Sequence, residues 1–574
     1  MFRIWFSCIV SFCLVLSLKM SAQSKPVADL IITNAKIWTG DDAHPRAQAM
    51  AVRGDRILAV GSDHDMEDLR GAETKVMDAG GKLLVPGFND AHVHFVGGGM
   101  DLDNVHLKDA ASVEEFVSRI REQVKKTPKG QWVLGGGWDE TNWRPPQLPT
   151  KELIDSFTPD TPVFLDRYDG HMALANSVAL RLAGITAQTP NPPGGVIVRD
   201  AQGNPTGALK DAAAELVIKI IPPITHDQRI AAIKRGLEYA ASVGVTSFQE
   251  MNDEYTDSFA DIGAYDELLQ SGDLTARVYV AASIVDWKKE ADMGIRHAFG
   301  SSFLRIGALK GFADGDLGSR TAYFFAPYSD EPNNSGLLNK QMQPLSQMQD
   351  WITDADADRL QICIHAIGDK AISTVLDMYT EAVKANRGSE RRFRIEHAQH
   401  IAQKDFARFA QLDVIASVQP YQAIDDGRWA EARIGHDRAS RTFAFRTFLN
   451  YGVHLAFGTD WDVAPLDPLL GVYAAVTRAT LDGKNPNGWF PEQKLTVEEA
   501  MKAYTVGSAY AEFQEQEKGS ITPGKLADMV LLSDDIFTID PVKIRDAKAL
   551  KTIVGGKVVW DSSRKQPYAT FGVM

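Results

Sequence analysis

The sequence predicts an α/β fold: a (β/α)8 TIM barrel, with a small β-sandwich built from both termini and an insertion over the barrel mouth. Three observations predict it. Strand-like and amphipathic helical segments alternate over roughly 400 residues, with eight segments qualifying as strands. Both ends of the chain carry short alternating segments parted by glycine turns. Residues from about 131 to 210 are too long and irregular for one β/α unit and hold a Trp138, Trp143, Pro145, Pro146 cluster.

Residues 1–23 differ in kind from the rest. Met1-Phe2-Arg3 gives a positive start, IWFSCIVSFCLVLSL an apolar stretch of secretory length, and KMSAQS small residues for cleavage near Ala22 or Gln23. The expectation is a cleaved signal peptide and a periplasmic protein. The apolar stretch is short for a bilayer span of about 20 residues, which argues against a retained anchor. Cys8 and Cys13 leave with the signal, so the mature chain keeps Cys363 and forms no internal disulfide.

Residues 24–85 read as β-hairpins in DLIITNAKIWTG, AQAMAVRGDRILAVGS and KVMDAGGKLLVPG. Residues 515–574 share that texture in KTIVGGKVVW, and these two segments form the expected sandwich. The barrel is assigned to 86–514. One helix starts at Ser112 with Glu115 as its capping-box partner and carries Val113, Phe116, Val117, Ile120 and Val124 on one face. Thr225 and Gln228 open another, which Gly244 ends before the strand VTSFQE. The eight strand candidates are LLVPGFNDAHVHF, TPVFLDRYDGH, VTSFQE, FLRIGALKGFADG, LQICIHAIGD, RFRIEHAQH, VIASVQP and VHLAFGTD.

Composition narrows the function. The 574 residues include 44% hydrophobic and 24% charged, as in soluble globular enzymes. A net charge of −14, without a Lys/Arg-rich run among aromatics, excludes nucleic acid and anionic membranes as expected partners. A small-molecule substrate remains, with a homodimer as the expected assembly.

His92 and His94 in HVH face the same side of a strand, because side chains alternate with period two. Among 13 histidines, about 0.3 such pairs arise by chance, so the motif alone decides nothing. The other strand ends give it weight: Lys310, His365, His397 and Asp460 also end barrel strands, and all such ends converge on one mouth. Imidazoles and a carboxylate gathered there are costly unless a divalent cation binds them.

PGFNDAHVHF, GGGWDETNW, DRYDGHMALANSVAL, KGFADGDLGSRTAYFFAPY, HAIGDKA, RIEHAQ, GTDWDVAPLDPL and KGSITPGKLADMVLLS together resemble the amidohydrolase superfamily, in its YtcJ-like, amidohydrolase-3-type branch of metal-dependent hydrolases. The resemblance implies one or two divalent ions, zinc in type, held by His92, His94, His365, His397 and Asp460. It also implies that Lys310, carbamylated by CO2, bridges two of them. Lys210 in PTGALKDAA is the rival bridging residue, and an unmodified Lys310 leaves room for one ion.

The implied chemistry is cleavage of C–N bonds in amides, N-acyl amines or cyclic amides. A metal-activated hydroxide attacks while Asp460 serves as proton shuttle. Ester or lactone hydrolysis, deamination, and metal-loaded binding without turnover are the alternatives. Asp369 and Glu396 are the expected supports of His365 and His397. His171, after Asp169-Gly170, either stabilises the oxyanion or is a solvent-facing loop residue. Trp138, Trp143, Tyr168, Tyr421 and Trp461 are candidate aromatic walls, with core packing as the alternative, and Gln419 is a further substrate contact. Arg320 either binds a substrate carboxylate or pairs with Asp314 or Asp316.

Overall fold

The computed structural model describes residues 26–564 apart from 141–142, 168–171, 193–194, 212, 253–256 and 389. The expected signal, 1–23, and the candidates Tyr168 and His171 lie outside the described residues. No helix among the described residues is long and apolar enough to cross a membrane.

Eight parallel strands form the barrel. They are β1 (Phe88–Val93), β2 (Val245–Met251), β3 (Arg277–Ser283), β4 (Leu304–Phe312), β5 (Gln361–Ala366), β6 (Arg394–His397), β7 (Ile415–Val418) and β8 (Leu455–Phe457). Each pairs with the next in sequence. The ring closes beyond β8, where Val93 bridges to Trp461 and the Asp460 N–H donates to the His92 carbonyl at 2.8 Å. β3 and β5 are buried along their whole length, because helices cover the outside of a parallel barrel while side chains fill its inside. In-register partners mark the inward face: Ser283 with Lys310, Lys310 with Cys363, His365 with Glu396, and Glu396 with Ser417.

The helices start where their caps predict. Thr225 and Gln228 make a reciprocal capping box before His226–Ser242. Ser112 accepts the Glu115 N–H at 3.2 Å, whereas the Glu115 carboxylate turns to the Ala111 N–H at 3.0 Å. Gly244 ends the longer helix at φ +87, and a Cβ there would press on Phe88 and Val530 at 3.1–3.2 Å. Glycine takes this left-handed turn into β2 without a steric penalty.

One expected barrel strand is wrongly placed. The segment TPVFLDRYDGH supplies Phe164–Arg167 to a separate six-stranded sheet, between Gly135–Trp138 and Met172–Ala175. The barrel strand that sequence reading passes over is β3, RVYVAAS. It opens on a charged residue and ends on small ones, so it lacks the apolar run of its neighbours. Arg277 is nevertheless buried, with Nε and Nη2 donating to the two carboxylate oxygens of Asp528 at 2.6 and 2.9 Å. The separate sheet also includes Val105–His106, ahead of the expected start at 131; a two-residue strand leaves no periodic signal.

The two ends of the described chain meet in one sheet. Leu83–Pro86 pairs antiparallel with Met529–Leu532, in a six-stranded sheet that also holds Lys36–Trp38, Arg46–Ala47, Ala549–Val554 and Lys557–Asp561. A four-stranded sheet of Leu30–Thr33, Ala49–Arg53, Arg56–Gly61 and Lys75–Asp78 adds Ile32, Met50 and Val52 to the same apolar cluster as Leu84, Met529, Leu531 and Ile553.

Candidate metal centre

His92 projects inward from β1 and is fully buried. Its Nδ1 lies 2.7 Å from Glu396 Oε2, so Nδ1 carries the proton and donates, leaving the Nε2 lone pair facing the mouth. That Nε2 is 3.4 Å from Asp460 Oδ1 and 3.1 Å from Lys310 Nζ. His94 Nε2 is 3.4 Å from the same Asp460 oxygen, and the ligand atoms of His92, His94 and Asp460 all lie within 4.8 Å of one another. The His397 ring centre is 4.9 Å from that of His92 and 4.5 Å from that of His365. The structure therefore brings together all six residues expected from the strand ends.

Backbone conformation helps aim two of them. His397 and Asp460 take positive φ, +69 and +63. Non-glycine residues in that region cost on the order of 1–3 kcal/mol and persist where the surroundings enforce them. Glu396 already faces inward, so an untwisted strand would point its neighbour His397 outward; the left-handed turn accompanies its entry into the mouth.

The donor set fits a divalent cation. His397 Nδ1 and Asp460 Oδ1 are buried without a hydrogen-bonding partner among the described residues. Burial, reinforced by the Lys310 charge, lowers the His92 pKa to about 4. Burial lowers His397 to about 3 and takes His365 well below its ordinary value. These three imidazoles are thus neutral at pH 7, the form that ligates metal. Burial opposes ionisation of Asp460, but His94 beside it holds its carboxyl well below the usual range.

Supports come from across the barrel. Arg394 is wholly buried and reaches four strands. Its Nε donates to Glu396 Oε1 at 2.7 Å, its Nη2 to the Ala91 carbonyl at 2.7 Å and Ser417 Oγ at 3.0 Å, and its Nη1 to Gln249 Oε1. Burial disfavours the Glu396 carboxylate, yet Arg394 and His92 hold it ionised. Asp90 ties β1 to the β8 loop by accepting the His92 N–H at 3.1 Å, the Thr459 N–H at 2.9 Å and the Thr459 hydroxyl at 2.6 Å. Gln422 Nε2 donates to Asp460 Oδ2 at 2.8 Å.

Some expected roles fall elsewhere. Glu396 supports His92 rather than its neighbour His397. Asp369 accepts the Phe325 N–H at 2.9 Å, while the carboxylate beside His365 belongs to Asp314, 3.6 Å from Nε2. Trp138 and Trp143 are packing residues: both meet Phe116 edge-on, and their indole N–H groups donate to the Leu165 and Ala110 carbonyls at 3.4 and 3.0 Å. Trp461 packs edge-on to Phe95 and Tyr239. Arg320 pairs with Asp330 at 2.8 Å and Glu331 at 3.2 Å, not with Asp314 or Asp316. Tyr421 is half-buried on Pro420–Asp426. Lys210 lies in the six-stranded insertion sheet, paired with Met172 and Val196. Gln422, Asp314 and Asp90 escape sequence reading; only the position of Gln422, one helical turn after Gln419, could have signalled it.

Fold and site together define a metal-dependent hydrolase on a (β/α)8 barrel. The amidohydrolase family profile matches residues 75–560, and the chain belongs to that family, as a hydrolase acting on C–N bonds. Protein LONG AFTER FAR-RED 3 of Arabidopsis thaliana is 39% identical over 93% of this chain and 92% of its own length. The putative amidohydrolase YtcJ of Bacillus subtilis is 32% identical over 92% and 98%. The N-substituted formamide deformylase of Arthrobacter pascens is 29% identical over 92% and 97%. The crystal structure of a metal-dependent hydrolase from Pyrococcus furiosus superposes with a TM-score of 0.73 at 30% identity, covering 89% of this chain and 100% of that one.

Proposed function

We propose that the protein is an exported zinc-type amidohydrolase cleaving amide, N-acyl amine or cyclic amide bonds of small molecules. The observation that carries this is the convergence of His92 Nε2, His94 Nε2 and Asp460 Oδ1 beside His365, His397 and Lys310. A divalent cation held by these residues supplies Lewis acidity and lowers the pKa of its water to about 7. Gln422 fixes Asp460 Oδ2, leaving Oδ1 toward the mouth. That oxygen takes the nucleophilic water's proton and returns it to the leaving nitrogen. The Arthrobacter relative supports formamides as part of the substrate range. In this proposal the six-stranded insertion sheet covers the mouth, and residues 1–23 direct export.

A panel of formamides, N-acyl amines and cyclic amides, each beside its ester or lactone counterpart, tests the reading on zinc-loaded protein. C–N substrates should turn over in preference to the oxygen analogues. Preference for the esters overturns it.

Lys310 completes the site. Burial lowers its pKa, which favours the neutral amine that reacts with CO2. We propose that it, rather than Lys210, is carbamylated. Intact mass of the native protein should exceed the sequence mass by one CO2, an increment lost in Lys310→Ala and kept in Lys210→Ala. An increment that survives Lys310→Ala refutes the assignment.

A further inference from the structure

We infer that Gln419 is a specificity residue that reads an amide edge on the substrate other than the one being cleaved; this rests on the hydrolase reading above. Gln419 follows β7 directly and is fully buried, and neither its Nε2 nor its Oε1 has a hydrogen-bonding partner among the described residues. Its direction follows from Ser417, which receives the interior Arg394 at 3.0 Å; two residues on, the side chain faces the same way, one layer nearer the mouth. β7 lies between β6 and β8, with Ser417 opposite Glu396 and Val418 opposite Phe457. The Gln419 amide therefore enters between the strand ends that carry His397 and Asp460. One turn along the helix Pro420–Asp426, Gln422 reaches Asp460 itself, so this helix face looks into the reaction space.

A buried amide with donor and acceptor both unpaired is costly unless a ligand pairs them. The complement must set an acceptor and a donor side by side. A primary carboxamide or a ring amide does so. An open secondary amide is trans, with N–H and C=O on opposite sides, and reaches only one atom of Gln419. A carboxylate offers no donor and faces Oε1 with its own negative oxygens. The preferred substrates are therefore C–N compounds whose non-reacting part carries a carboxamide or ring-amide edge.

Three anilides test this on the zinc-loaded full chain: succinamic acid anilide, which ends in a primary carboxamide, and its N,N-dimethylamide and methyl ester analogues. The wild type should favour the carboxamide in kcat/KM by on the order of 10²-fold, since an analogue that lacks the partner leaves a buried polar group with its full desolvation penalty. In Gln419→Leu, and in Gln419→Met as the closer match in length, the three substrates should become equivalent. An unselective wild type, or a variant that slows all three equally and keeps the ratio, overturns the inference. Calorimetry on the metal-free protein reads the same residue without turnover. The carboxamide should bind more tightly than the dimethylamide, and equally in Gln419→Leu; equal binding in the wild type is again contrary. Absence of turnover on all three anilides with selective calorimetric binding would count against the hydrolase reading and leave the Gln419 assignment standing.

Discussion

Asp460→Asn should abolish most turnover, lowering kcat by about 10²- to 10⁴-fold, the range of a lost general acid–base group. The substitution preserves size, so folding should survive. It changes what the two terminal atoms can do. Gln422 Nε2 donates to Oδ2 at 2.8 Å, so the amide oxygen of asparagine must take that place. The amide nitrogen then points where Oδ1 faced His92 and His94, and it can neither accept a proton nor ligate a cation. Kinetics on the best C–N substrate, with metal content measured on the same sample, check this. Unchanged turnover with metal retained would remove Asp460 from its assigned role.

Arg394→Met should be the most destabilising single change near the site, at about 3–5 kcal/mol, because it strands a buried charge. Arg394 and Glu396 are both fully buried, and Glu396 Oε2 also fixes His92. Without the guanidinium, the carboxylate loses the partner that keeps it ionised. The Ala91 carbonyl, Gln249 and Ser417 lose their donor as well. The double variant Arg394→Met/Glu396→Gln should recover part of the loss, since a neutral amide can still accept from His92 Nδ1 without an unpaired charge. Denaturant midpoints of the three proteins decide it. A double variant no more stable than Arg394→Met would show that the ion pair is not the source of the effect.

Much of the centre was legible because a barrel converts chain order into geometry. His92, His94, Lys310, His365, His397 and Asp460 each stand where a strand ends, and the topology alone brings those ends together. What escaped were relations between strands. Glu396 sits beside His397 in the chain, but its carboxylate reaches His92 on β1, a relation between strands that chain order does not carry. β3 went unread: Arg277 opens it, and a charge that is buried and paired with Asp528 cannot be told in sequence from one that is solvated. Trp138 and Trp143 looked like cavity walls for the converse reason: a tryptophan on a short strand carries no mark of which core it fills. Asp314 reaches His365 through the turn after β4, and such approach has no periodicity.

The pairing of Leu83–Pro86 with Met529–Leu532 sets when this molecule can finish folding. Val85 waits for Val530, made only after every barrel strand, before the earlier strand acquires its second neighbour. Until then an apolar edge is open to other chains. Loss of the last strands by premature termination should therefore leave a sticky, protease-sensitive product, even though every ligand of the metal centre would already have been made.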